Sequence, residues 1–283
     1  MNKTYKEFHI RTTPFVPEII SGLLWELSIS GLTEESDFIK VFSPEHNLFK
    51  KEIETLLKRL IDEKVIDEFS VEEYELENKN WNEDWEKNLN IIKVTERIVI
   101  KPSYKEYISS SNEIVITIDP KMSFGTGEHQ TTKLMLKLIE NYVKPGMKIL
   151  DVGSGTAVLS IASVKLGAYK AVAIDNDELC FENGIENSRI NNVRNKLEVK
   201  TGEIKDISEN EFDIILANIQ KNILLDIAHD LKSKLKKNGL LILSGLLVED
   251  EADMVDYYGR LNFTFIEKES MDEWIAIVFK LLK

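Results

Sequence analysis

The chain has one cysteine, Cys180, in 283 residues. A single thiol excludes an internal disulfide framework and a Cys-based zinc site. Histidine is almost as scarce. His9, His46, His129 and His229 are scattered along the chain, so no metal-ligand cluster is expected. No apolar run approaches the roughly 20 residues of a membrane span. The opening MNKTYKEFHIRTTPF has no apolar signal core, and a cytoplasmic protein is expected. There is no basic block, and the formal net charge is -13. A duplex-tracking protein usually carries a basic face, so direct nucleic-acid binding is not expected. The acidic balance suits either a solubilising surface or steering of a basic substrate. Internal repeats and low-complexity tracts are missing as well.

What remains is ample core material, with 43% hydrophobic and 30% charged residues, enough for a sizeable interior and a soluble surface. Residues 1–77 read as a small α+β domain. YKEFHIR predicts a strand, and Pro17 opens a helix through IISGLLWELSIS that Gly31 ends. A short strand follows, then DFIKVFS alternates as another. Ile53, Leu56, Leu57, Leu60 and Ile61 have helical spacing, and FSVEEYELE alternates again. The order β-α-β-β-α-β is the ferredoxin-like pattern. Residues 78–95 read as a polar linker carrying Trp81 and Trp85, which share a face if the segment is helical.

Residues 96–283 alternate strand and helix. RIVIKPS and EIVITID lead into the core sheet, and seven strands follow: KILDVG, KAVAID, KLEVKTG, FDIILAN, GLLILSG, FTFIEKE and WIAIVFK. The helices are predicted at 131–142, 158–166, 179–191, 222–235 and 249–261. Apolar runs such as IIL and LLIL suit strands covered on both faces. This predicts a Rossmann-like α/β domain with seven strands, its last two an edge hairpin and its ligand at the carboxyl ends of the strands.

Chemistry concentrates at those strand ends. In ILDVGSGTAVLSIA, Gly153 and Gly155 allow a tight turn and close ligand approach. Asp151 before them would repel a pyrophosphate at the helix N-terminus. It would instead balance a cationic ligand such as S-adenosylmethionine, which carries a sulfonium and an ammonium. With no GxGxxG, a nicotinamide oxidoreductase is disfavoured. Asp175 ends the next strand, where a carboxylate can accept both hydroxyls of a ribose. The loop MSFGTGEHQTT precedes a helix that Thr131 and Thr132 can cap, and Thr132 is a candidate cofactor contact under a lid. His129 is either a base or a structural loop residue. Asn218, at the end of ILAN, is the candidate catalytic residue. Its amide oxygen can accept a hydrogen bond from an amine and aim the lone pair at the methyl group.

At DPKMSFGTGEHQTT, LDVGSGT, AIDND, LANI, LSGLL and EWIAIVF the chain resembles the PrmA family of methyltransferases acting on ribosomal protein L-eleven (L11). The resemblance covers nearly the whole length. It implies S-adenosylmethionine as cofactor and transfer of methyl groups to lysine ε-amines and the N-terminal α-amine of that large-subunit protein. It also implies cofactor contacts at Thr132, Gly153, Asp175 and Asn218, and substrate recognition by the small domain. Ala157 replaces the family's usual third glycine, Glu128 fills a variable loop position, and Gln220 stands where an apolar residue is common. The rivals are a same-fold methyltransferase acting on RNA or a small molecule, and a non-catalytic ribosome-associated module.

Overall fold

The computed structural model describes residues 5–25, 27, 29, 31–44, 50–76, 89–121 and 123–282. Trp81 and Trp85 lie outside the described residues. The chain divides into two compact units, residues 1–83 and 84–283.

In the first unit β1 (Tyr5–Thr13), α1 (Pro17–Leu24), β2 (Gly31–Glu34), β3 (Ile39–Pro44), α2 (Lys50–Asp62) and β4 (Glu68–Leu76) follow in order. The sheet runs β2-β3-β1-β4 with every pair antiparallel, the ferredoxin-like arrangement. Period-two alternation sends Phe8, Ile10, Ile39, Val41 and Val71 into one core. Ile53, Leu56, Leu57 and Leu60 of α2 cover them along one helical stripe. Helix α1 is shorter than predicted. It stops at Leu24, and Gly31 opens β2 instead of ending a helix. Beyond it the Leu27 amide donates to Leu24 O at 3.0 Å, and Leu27 and Ile29 both pack on this core.

The second unit begins with a three-stranded sheet. β5 (Ile92–Lys93) pairs antiparallel with β6 (Ile98–Lys101), which pairs parallel with β7 (Ile114–Thr117). The strands expected at RIVIKPS and EIVITID therefore form, but in a sheet of their own, and β5 lies in the stretch read as linker. Ile98, Ile100 and Ile116 bury themselves in the main core.

Then come α3 (Gln130–Tyr142), β8 (Lys148–Val152), α4 (Val158–Lys165), β9 (Lys170–Asp175), α5 (Glu178–Ile190), β10 (Leu197–Thr201) and β11 (Phe212–Asn218). The chain ends with α6 (Lys221–Asp226), α7 (Ala228–Lys234), β12 (Leu235–Leu247), α8 (Glu251–Arg260), β13 (Phe263–Met271) and β14 (Trp274–Leu281). The sheet order is β10-β9-β8-β11-β12-β14-β13, parallel through β12, with β14 antiparallel to both neighbours. The predicted edge hairpin is present, with β14 on its inner side. Between β10 and β11 only a 3-10 turn forms, and the helix predicted at 222–235 is broken at Ile227.

The two faces of the seven-stranded sheet build separate cores by strict alternation. Ile149, Ala171, Ala173, Ile214 and Leu216 face α3, α4 and α5. Leu150, Val172, Ile174, Ile215 and Ala217 face α6, α7 and α8. In the second core Tyr258 is fully buried, its ring stacked on Phe279 at 5.1 Å and its hydroxyl donating to the Leu224 carbonyl at 2.7 Å. Burial pushes the phenol above its ordinary range. That bond anchors α6. Tyr258→Phe keeps the ring and strands the carbonyl, so urea unfolding should show a loss of about 1–2 kcal/mol. An unchanged midpoint would mean the bond adds nothing net.

Candidate functional site

Alternation fixes where the predicted polar residues point. Asp151 on β8, Asp175 on β9 and Asn218 on β11 continue the series of Ile149, Ala173 and Leu216, so all three face α3, α4 and α5. Their surroundings differ. Asp175 is half-buried at its strand end, where one oxygen accepts from the Gly155 amide at 2.8 Å and the other from the Asp177 amide at 3.1 Å. Asn218 donates its side-chain amide to Thr131 Oγ1 at 3.2 Å, which leaves its carbonyl oxygen to accept. Asp151 has no exposed surface, and one oxygen accepts from the Ser160 amide (3.1 Å) and hydroxyl (2.8 Å).

The turn after β8 needs its glycines. Gly153 and Gly155 have φ of +70° and +50°, a region costly for other residues. A Cβ on Gly155 would lie 2.3 Å from the Phe124 carbonyl oxygen, and one on Gly153 would lie 2.4 Å from Ile219. Phe124 belongs to the predicted loop, which is tied onto this turn. Thr156 donates its amide to Phe124 O (2.9 Å) and its hydroxyl to Gly125 O (2.8 Å). Ala157, at the family's third glycine, also has a positive φ of 63°.

Helix α3 is capped by His129, not by the two threonines. The ring Nδ1 accepts from the Thr131 amide at 3.3 Å and lies 2.8 Å from its hydroxyl. Histidine is not among the preferred caps, so the pattern pointed past it. Thr131 and Thr132 are first-turn residues, each 1% exposed. Thr132 Oγ1, Asp151 Oδ1 and Ser154 Oγ are buried without a hydrogen-bond partner. Such atoms are rare in native proteins and call for a partner.

Two clefts open at the carboxyl edge, and they share Ile219 and Ile223. The first, about 300 Å³, runs from Gly153 past Asp175 to Glu203 and Asp226, with Ile204 and Ile227 as apolar wall. The second, about 420 Å³, is lined by Phe124, His129, Thr131, Asn218 and Trp274. The His129 ring sits edge-on between Phe124 (5.4 Å) and Trp274 (5.0 Å). Gly153 and Asp175 thus border one cleft and Asn218 the other. Gly155, Asp151 and Thr132 line neither. Sequence reasoning missed the isoleucine wall and the role of Trp274. Isoleucines in a helix or after a strand read as core, and Trp274 lies over 50 residues along the chain from Asn218 and about 150 from Phe124. Among the described residues no group of acidic, histidine or cysteine side chains could hold a metal ion, and no helix is long and apolar enough to cross a membrane.

Seven strands in this order, with a glycine turn after the first and an acid ending the second, make this a Rossmann-like methyltransferase fold. The profile of the family described as ribosomal protein L11 methyltransferase (PrmA) matches residues 25–281, and the chain belongs to that family. A ribosomal protein L11 methyltransferase of Listeria innocua is 36% identical over 92% of this chain and 84% of its own length. Another, from Acetivibrio thermocellus, is 39% identical over 74% of this chain, which spans 66% of that relative, just under two thirds. The crystal structure of a ribosomal protein L11 methylase from Lactobacillus delbrueckii subsp. bulgaricus superposes with a TM-score of 0.65 at 27% identity. It covers 69% of this chain and all of its own.

Asp151 carries an electrostatic cost. Burial raises its pKa to about 7, against the two Ser160 bonds that lower it and with the Asp175 charge that raises it. An unfolded aspartate titrates near 3.9. Because the folded value is the higher, stability is full below about pH 4 and is lost as pH rises to about 7. Asp151→Asn keeps an acceptor for Ser160 and removes the charge. Thermal melts of the unliganded variant should therefore lie several degrees above the parent at pH 8 and converge with it near pH 4. Parallel curves would refute the buried charge as the source.

Proposed function

We propose that this chain transfers methyl groups from S-adenosylmethionine to ribosomal protein L11, at lysine ε-amines and the N-terminal α-amine, as a cytoplasmic enzyme. The reading rests above all on the junction of the two clefts, one acidic and glycine-floored, the other aromatic with Asn218 in its lining. Family membership points the same way.

The residues present suit the cofactor. Gly153 borders the first cleft, and the tight turn it makes with Gly155 tolerates no Cβ, which would collide with Ile219 or the Phe124 carbonyl. The first cleft offers carboxylates for ribose hydroxyls and isoleucines for a flat base, and a diphosphate would be repelled there. Asp175 is the proposed ribose ligand. Thr132, Asp151 and Ser154 hold partnerless polar atoms, the complement of an amino-acid head group bearing both a carboxylate and an ammonium. When bound, S-adenosylmethionine supplies a sulfonium-activated methyl group for direct displacement.

The protein's part is to deliver a neutral amine. A free lysine titrates near 10.4 and is protonated at neutral pH. The apolar lining of Phe124 and Trp274 favours the uncharged form by desolvation. The Asn218 carbonyl accepts one amine hydrogen, and Thr131 holds the other end of that amide so the acceptor does not turn away. The ferredoxin-like unit, with its own core, is the proposed grip on the ribosomal protein.

Mass spectrometry of purified L11 after incubation with the enzyme and S-adenosylmethionine should show methylated lysines and a methylated N-terminus. Label in RNA, or none, would overturn the assignment. Asn218→Ala should lower kcat on the order of 100-fold while S-adenosylhomocysteine affinity stays near that of the parent. If affinity collapses and turnover at saturation persists, Asn218 is a cofactor ligand only.

A further inference from the structure

Helix α5 carries Asn183 and Asn187, and Asn191 is its C-cap; the three are at four-residue spacing, on one face, with exposures of 1%, 0% and 6%. Burying three carboxamides is costly unless each is hydrogen-bonded. All three are, with partners at the end of β7, on the strap that follows it and in the glycine turn.

Asn191 pairs with Thr117 as a strand would, its Oδ1 accepting from Thr117 N at 2.9 Å and its Nδ2 donating to Thr117 O at 2.6 Å. Asn183 donates to the Asp119 carbonyl at 2.7 Å. Asn187 does something different. Its Oδ1 accepts from the Asp119 amide at 3.1 Å, and its Nδ2 donates to the Thr156 carbonyl at 3.1 Å and to Asn183 Oδ1 at 3.3 Å. One carboxamide therefore spans from the strap to the glycine turn. Thr156 in turn holds the loop through Phe124 O and Gly125 O. Phe124 lines the aromatic cleft, and the turn floors the other.

We propose that Asn187 is a positioning residue for methyl transfer, which sets the 124–127 loop and the glycine turn at the separation that both clefts require. Asn187 lines neither cleft and acts through Thr156 and Asp119. The inference rests on reading the clefts as the S-adenosylmethionine and amine sites. A supporting residue of this kind holds functional groups within a fraction of an ångström, and its loss appears as a looser site.

The test compares two rungs of one ladder in the full-length protein. Asn187→Ala and Asn191→Ala each remove a buried carboxamide from the same helix, but only the first cuts the link to the turn. Calorimetry with S-adenosylhomocysteine, thermal melts and steady-state kinetics are measured on both variants and the parent. Asn187→Ala should bind about tenfold more weakly or worse and lose kcat at saturating S-adenosylmethionine. Asn191→Ala should lose a comparable amount of Tm and keep affinity and kcat within about twofold of the parent. If Asn187→Ala does not fold, Asn187→Ser is measured in its place against the same expectations. Parent-like affinity and kcat at position 187, or equal functional losses at 187 and 191, would overturn the positioning role. Failure of the parent itself to bind S-adenosylhomocysteine would overturn the cofactor reading and this inference with it.

Discussion

The site depends on a backbone turn that cannot stand without its partners. Residues 153 and 155 sit at positive φ, and the turn is held from three sides. Asp175 takes the Gly155 amide, Phe124 accepts the Thr156 amide, and the Gly153 amide donates to Ile174 O at 2.9 Å. The partners come from two segments. The neighbouring strand β9 supplies Asp175 and Ile174, and the loop before α3 supplies Phe124. The turn therefore records the register of the sheet. A one-residue slip of β9 would send Asp175 to the opposite face and leave Gly155 unpaired.

The same register places charge where the fold can least tolerate it. Asp151 is buried with one oxygen unpartnered, and Thr132 and Ser154 also hide polar atoms without partners. A structure selected for stability alone would replace such groups with apolar ones. Buried polar atoms of this kind call for a partner. The half-buried Asp175 avoids this cost because two backbone amides already satisfy it. One acid is thus ready for exchangeable contacts at the cleft, and the other waits behind the turn.

Much of this was legible in the residues. Runs such as ILDV, AVAID and IILAN fixed the buried strands, because only β-rich apolar segments of that length suit a two-sided sheet. Their terminal Asp175 and Asn218 followed by position. The glycine turn and the FGTG loop carried the family resemblance. Other features were hidden for physical reasons. The His129 cap departs from the preferred side chains, so the threonines beside it drew the assignment. The separate sheet of β5, β6 and β7 is set by partner choice, which periodicity does not encode. The break at Ile227 interrupts a continuous helical pattern with no glycine or proline to mark it. The cleft walls gather Ile204, Ile223 and Trp274 from three distant segments, and each reads locally as core. The asparagines of α5 drew no reading from the sequence, since their partners lie more than 60 residues earlier in the chain or in the turn at Thr156.

Ala157, in the same turn, packs against that same helix. Ala157 pays the cost of a left-handed conformation, roughly 1–2 kcal/mol for a residue with a Cβ. Its methyl is nonetheless fully buried and needs space on the side facing α5. Gly184 faces it: a Cβ there would make ordinary contact with Ala157 Cβ at 3.5 Å and press on Val199 at 3.1 Å. A larger residue at 184 would push α5 off the turn. Asn187 lies one helical turn further along, and its 3.1 Å reach to the Thr156 carbonyl depends on that close approach. A glycine in a helix interior costs about 1 kcal/mol of propensity. Here that cost spares Val199 a tight contact and keeps α5 close enough for a buried carboxamide to touch the turn.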